Sequence, residues 1–226
     1  QGTRPVAHFL SQRDLREVDR WWRIITQNKW AVVPVAPRVR DWQTLPQNDD
    51  GRFIKNVPDY NDLITSVDRL KELWAAPDAG IGVLLGQASG GLIDVDLDNH
   101  FLSSAADWLL PPTPFTFGHS ENPSSHRLYQ GPKSLKRRVW MTPVTRQSAG
   151  SSTTSVILEL RTDLDENKKP FMTVLPPTPR RAGDKLVRRF WDTPKPGATG
   201  VITEDMKEDF ETKLDWLAAA ATLAEY

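Results

Sequence analysis

The sequence predicts an α+β fold. Helical and strand patterns alternate in its first half, whereas paired strand patterns dominate the second. A helix with an acidic first turn closes the chain. With 226 residues, 38% of them hydrophobic and nine of them Trp, the chain can bury a substantial core and is too apolar for a disordered segment. The length suits one large domain, or a domain plus an appendage.

The elements follow from local patterns. Ser11 caps a helix over 12–28, with Leu15, Val18, Trp22 and Ile25 near helical spacing. Trp21, Trp22 and Trp74 read as core. Lys29 to Val35 is a buried strand. The polar stretch from Pro37 to Pro58 is tied to the body by Trp42 and Phe53. Asp59 or Asn61 starts a second helix through Leu63, Val67, Leu70 and Leu73 that ends before Pro77. Two strands flank a Gly-rich turn, Gly86 to Gly91. A short helix runs from Ser103 or Ser104 to Leu110, where Pro111-Pro-Thr-Pro114 stops it. Phe115–Phe117 and His126–Tyr129 are two strands joined by a loop. Residues 131–154 form a long polar connection. Val156–Arg161 and Phe171–Leu175 look like a pair joined by a charged hairpin. Residues 176–200 are rich in Pro, Gly and Arg. Thr203 caps the last helix, whose first turn is acidic, as its dipole favours.

Chemistry concentrates on the strand Leu92-Ile-Asp-Val-Asp-Leu-Asp98. Strand side chains alternate between faces, so Asp94 and Asp96 project together. Adjacent carboxylates repel unless a cation sits between them, and Mg²⁺ is bound by such pairs together with substrate phosphates. The competing reading is a solvated strand end. Ser124-x-His126 presents a hydroxyl and an imidazole on one face, with Arg127 as a fixed charge nearby; it suits a triphosphate, or is a loop serine beside a half-buried histidine. Glu159, set among apolar residues, needs a partner when buried. That partner is either a salt bridge, as with Arg161, or a shared cation.

Composition excludes several classes. There is no Cys, so disulfides and Cys-based zinc sites are absent, and 4 scattered His do not suggest a structural metal site. No apolar run approaches a membrane span and no secretory leader is visible. The chain reads as a fragment of a longer cytoplasmic protein. Equal counts of 29 basic and 29 acidic residues hide a local bias. No acid lies between Glu121 and Glu159, a stretch that holds Arg127, Lys133, Lys136, Arg137, Arg138 and Arg146. A second basic cluster holds Arg180, Arg181, Lys185, Arg188 and Arg189. With Trp140, Phe190 and Trp191 interleaved, these residues suit phosphate contact and base stacking on single strands. The alternatives are solvated loops and, for Arg188 and Arg189, pairing with Glu204, Asp205, Glu208 and Asp209.

Asp94-x-Asp96, Ser124-x-His126 and Glu159, in this order, resemble the motifs of the archaeo-eukaryotic primase superfamily. The closer likeness is to the bifunctional primase-polymerase (prim-pol) domain of phage and plasmid replication proteins. Ala79–Gly86, Thr113–Phe117, Thr173-Val-Leu-Pro-Pro-Thr178 and Lys29–Pro37 resemble the family's flanking segments. The likeness covers roughly residues 28–180. Two departures stand out: the third acid is Glu where many relatives have Asp, and Pro123-Ser-Ser125 replaces the usual Gly-Gly before the His strand.

The resemblance implies mixed sheets with an RRM-like core flanked by helices, a catalytic domain over 1–200, and a helix over 201–226 that begins a linker or helical region. It implies template-directed nucleotidyl transfer to a 3′-hydroxyl, making or extending primers. Asp94, Asp96 and Glu159 would hold two Mg²⁺ or Mn²⁺ ions, with no zinc. Ser124, His126, Arg127 and Arg161 would bind the NTP or dNTP, His126 as a phosphate donor. Lys136, Arg137, Arg138, Arg180, Arg181, Arg188 and Arg189 would meet a single-stranded DNA template and primer. A helicase domain in the same chain and a cytoplasmic setting in a bacterial or phage-infected cell complete the expectation. The rival readings are a two-metal nuclease or phosphodiesterase, and a non-catalytic single-stranded-DNA-binding domain.

Overall fold

A computed structural model describes residues 12–35, 63–75, 80–142, 146–148, 151–153, 155–163, 171–182, 185–192 and 199–224. Ser11, Trp42, Phe53, Asp59 and Asn61 lie outside them. In chain order the elements are α1 (Gln12–Gln27), β1 (Val32–Val35), α2 (Val67–Ala75), β2 (Gly80–Leu84), β3 (Leu92–Leu97), α3 (Leu102–Leu109), β4 (Thr116–His119) and β5 (Asn122–Gln130). There follow β6 (Arg138–Met141), β7 (Arg146–Ser148), β8 (Ser151–Thr153), β9 (Val156–Arg161), β10 (Met172–Leu175), β11 (Pro179–Ala182), β12 (Lys185–Arg188), β13 (Phe190–Trp191), β14 (Gly200–Val201) and α4 (Lys207–Ala224). The fold is α+β, as predicted.

The chain divides into two compact units, one of residues 1–84 and 172–188, the other of 85–171 and 189–226. In the first, the antiparallel sheet β1-β2-β10 packs with α1 and α2. Val18, Trp21, Ile24, Ile25 and Leu70 are buried. The second helix starts later than its apolar spacing suggests. The Ile64 amide donates to the Val32 carbonyl, which draws the chain alongside β1, and Ser66 Oγ then accepts from the Arg69 amide as a helix cap. A separate hairpin, β11-β12, completes this unit.

The second unit is built on a seven-stranded sheet with the order β13-β4-β5-β3-β9-β6, β14 pairing with β5. The strand β3 is central and fully buried. Its odd-numbered residues Ile93, Val95 and Leu97 join a core with Leu102, Ala106, Leu158, Leu160, Phe210, Leu214, Leu217 and Ala221, so α3 and α4 cover that face of the sheet. Burying a side chain such as Phe210 stabilises by about 1.5–3 kcal/mol. The closing helix is therefore packed into this core through its buried face.

Two expectations change, and the Gly-rich turn links strands of two sheets. The segments β2 and β3 belong to different sheets, and Gly86, Gly90 and Gly91 all take positive φ (70°, 67° and 88°) between them. At Gly91 a Cβ would lie 2.7 Å from the Gly131 carbonyl oxygen, so the turn needs glycine on two counts. Next, β9 and β10 do not pair with each other. The first lies between β3 and β6, whereas the second pairs with β2. Lastly, the polar connection over 131–154 contains β6, the partner of β9, and the β7-β8 hairpin.

Candidate active site

The register of the central strands assembles the site. Asp96 stands opposite His126 of β5 on one side and opposite Glu159 of β9 on the other, while Asp94 stands opposite Arg161. Directly paired residues of antiparallel strands share a face. The acids thus project from the sheet face opposite the helices. Asp94 is fully buried and Asp96 and Glu159 nearly so.

Cations fill the space between these carboxylates. The Arg161 guanidinium donates through Nε to Glu159 at 2.8 Å, pairs with Asp96, and stands 3.7 Å from Asp94. Arg137 donates to the other Glu159 oxygen at 2.9 Å and stacks over Phe171, 5.1 Å from the ring centroid. His126 Nδ1 lies 3.0 Å from Asp94 and 3.5 Å from Asp96, with its ring stacked on Phe117 at 4.5 Å and 12°. Burial alone would lower the His126 pKa, but Asp96 and Asp94 together raise it, favouring imidazolium. Burial raises the Asp96 pKa, only partly offset by His126 and Arg161. Asp98 keeps solvent access at the strand end. Partial burial and the Asp96 carboxylate hold its carboxyl up at about 6.

The remaining predicted residues divide sharply. Arg127 is a correction: its neighbours alternate faces along β5, so it points away from His126. Its buried guanidinium donates to Asp107 of α3 at 2.7 Å and to the Ser103 carbonyl at 3.0 Å. Its role there is to tie helix to sheet. The Ser124 hydroxyl and amide both bond to the Asp192 carboxyl rather than to the acid cluster. Ser124 has φ +54°, in the left-handed region that favours glycine, at the place where the prim-pol pattern has Gly-Gly. Among the expected template residues, Arg137 belongs to the acid cluster. Arg138 projects to the other face, where it and Trp140 Nε1 (2.7 Å) both bond Asp215 of α4. Lys136 is exposed, with Nζ 3.3 Å from the Lys133 carbonyl. Arg180, Arg181 and Arg188 sit on the β11-β12 hairpin, their side chains outside the described ones, and Arg189 precedes β13.

Sequence reading placed Arg137 with the template contacts rather than with the acids, and gave Asp98 and Asp192 no role. The first was hidden because β6 lay in an apparent loop. The alternation of Arg137, Arg138, Val139 and Trp140 would have placed Arg137 with the acids. Asp98 continues the Asp94, Asp96 alternation and was legible in it.

The donors are hard carboxylate oxygens on adjacent strands, which fit Mg²⁺ or Mn²⁺ in kind. As the side chains stand, no group of three His, Asp or Glu among the described residues could hold an ion. Arg161 lies among them, so a divalent cation would have to take its place. No described helix is long and apolar enough to cross a membrane. Neither the curated proteins nor the solved structures give a significant match. A family model described as "Bifunctional DNA primase/polymerase, N-terminal" matches residues 22–198, a span that includes every member of the acid cluster. That span exceeds three-quarters of the chain, and with the acids, His126 and Glu159 brought to one sheet face, the chain belongs to the bifunctional DNA primase/polymerase N-terminal family.

Proposed function

We propose that this domain is a template-directed nucleotidyltransferase that makes or extends primers on single-stranded DNA. The observation that carries the reading is the cross-strand alignment of Asp96 with both His126 and Glu159, which turns three separated sequence motifs into one cluster. Asp94, Asp96 and Glu159 would hold two Mg²⁺ or Mn²⁺ ions. When bound, such ions lower the pKa of the attacking 3′-hydroxyl and neutralise charge on the leaving pyrophosphate.

The chain's own residues explain how a triphosphate is received. Three carboxylates now face two guanidiniums and an imidazole favoured in its charged form. A tetra-anionic triphosphate competes with those carboxylates for the same donors. Arg161 and His126 would turn from carboxylate to phosphate, which frees oxygens for cations in the same step. His126 acts as a donor to phosphate. Its Phe117 stack fixes the ring plane while leaving the ring nitrogens to polar partners. Arg127, tied to Asp107, contributes rigidity and takes no part in the clamp.

The test is synthesis on a primerless single-stranded template with labelled NTP or dNTP and Mn²⁺ or Mg²⁺. The double Asp94→Ala/Asp96→Ala variant is expected to lose all product while keeping its circular dichroism. Product at the wild-type level from that variant would end the assignment. A nuclease using the same acids would degrade the template and would not need His126.

A further inference from the structure

Beyond the last carboxylate of β3 lies a cavity of about 460 Å³, within the usual size of a small-ligand site. It is lined by Asp98, Asn99, His100, Phe101, Ser155 and Ala224, among others. The turn that forms it is pinned. The Phe101 amide donates to Asn99 Oδ1 at 3.0 Å, the Leu102 amide to the Asn99 carbonyl, and the Asp98 amide to the Ile157 carbonyl of β9. Phe101 is 57% exposed, a large apolar side chain left in water at the cavity wall. Its ring lies 3.9 Å from that of His100, so two flat surfaces adjoin there.

The lining decides what fits. Among the described residues no Lys or Arg lines the cavity, whereas the Asp98 carboxylate and the last turn of α4, the negative end of its dipole, both do. A phosphate group is repelled by this wall. A flat, neutral ring is not: Phe101 supplies a stacking face, and Ser155 supplies a polar side chain for a base edge. Position agrees as well. Asp98, two residues beyond Asp96, feels the charges of Asp96, His126, Glu159 and Arg161 and so joins the cavity mouth to the acid cluster electrostatically.

We propose that this cavity is a nucleobase-stacking subsite. It seats an unpaired base on the exposed ring of Phe101. The inference rests on the nucleotidyltransferase reading only for the identity of the nucleotide it serves. The base can belong to a free nucleotide or to the end of a DNA strand, and the chemistry at Phe101 is the same.

The probe is 2-aminopurine, whose fluorescence is quenched on stacking. Two arms distinguish the sources: the free 2-aminopurine riboside triphosphate, and a single-stranded oligonucleotide carrying the base at its 3′ end. Each is titrated into wild type, Phe101→Ala and Phe101→Tyr, with no metal added. Phe101→Ala is expected to weaken the responding probe roughly tenfold and abolish its quenching. Phe101→Tyr, which keeps a ring, is expected to restore both. Response of the free nucleotide alone assigns the subsite to the incoming nucleotide; response of the oligonucleotide alone assigns it to a strand end. Equal quenching and affinity in Phe101→Ala and wild type, or no quenching of either probe, overturns the proposal. Because Phe101 is exposed, unfolding of Phe101→Ala is not expected, and thermal melts verify it. Binding is read apart from synthesis. Loss of stacking with synthesis intact removes the subsite alone, while stacking without any synthesis removes the enzymatic reading alone.

Discussion

Replacing Arg161 by Ala tests the electrostatic logic of the site directly. The guanidinium touches Glu159 and Asp96 and stands 3.7 Å from Asp94. Each such contact has a gross Coulomb energy of about 4 kcal/mol at an effective dielectric of 20, and desolvation offsets most of the sum. Removing one partner of a buried pair costs about 3–5 kcal/mol, because the remaining charge is left uncompensated. Arg161 is 23% exposed, and Arg137 and His126 still serve Glu159 and Asp94. The expected loss is thus at the lower end, about 3 kcal/mol. For a chain of this size each kcal/mol moves the midpoint by about 2–4 °C, so Tm should fall by about 6–12 °C in EDTA. Adding Mg²⁺ or Mn²⁺ should then raise the Tm of Arg161→Ala more than that of wild type, since the cation no longer competes with a guanidinium. Saturation at a hundred times Kd would return about 2.7 kcal/mol. The assay is differential scanning fluorimetry with and without metal. A variant as stable as wild type in EDTA would refute the charge reasoning. A destabilised variant indifferent to divalent cations would refute the metal assignment.

Four further outcomes follow from the same geometry. Stability in EDTA should fall as pH rises. His126 has a raised folded pKa, so its contribution is complete below about 6.5 and is lost as pH climbs through the folded value. Asp98, raised from 3.8 to about 6, acts with the same sign between those values; pH-dependent denaturant melts of His126→Gln and Asp98→Asn should each lose one limb. His126→Ala should weaken a non-hydrolysable NTP by about 1.5–3 kcal/mol by calorimetry and leave single-stranded DNA affinity unchanged. Arg127→Met should destabilise the fold without changing NTP affinity, since its partners are Asp107 and the Ser103 carbonyl. Lys136→Gln should reduce the salt slope of oligonucleotide binding by about 0.7, whereas Arg138→Gln, whose partner is Asp215, should lower Tm and leave the slope alone.

The helix and strand order around the acids was legible because local patterns carried it. The Asp94/Asp96 alternation, the Pro111–Pro114 stop and the acidic first turn of α4 are short-range signals, and each has its counterpart in the structure. Strand pairing was less legible. Nothing local tells β10 to join β2 rather than β9, since that choice is made by the burial each unit offers. The Arg127 assignment failed for a different reason. Period-two alternation already placed Arg127 opposite His126, and proximity in sequence was given more weight than the pleat. The same rule separates Arg137 from Arg138, which a basic run conceals. A charge run is thus informative only after its strand has been identified.

The two faces of the central sheet solve opposite problems with the same residue types. On the helix face, Arg127 with Asp107 and Arg138 with Asp215 each join one cation to one acid, fastening a helix to a strand. Such pairs have no reason to open. On the other face, Arg161 serves three carboxylates at once, and Asp94 and Asp96 share His126. Burial raises the Asp96 pKa, and the partners it shares with Asp94 and Glu159 offset that only in part. A cluster of that kind gains from any additional cation and yields its own cations to any stronger anion. This asymmetry, and not burial or net charge alone, distinguishes the face on which nucleotide chemistry is proposed from the face that holds the fold together.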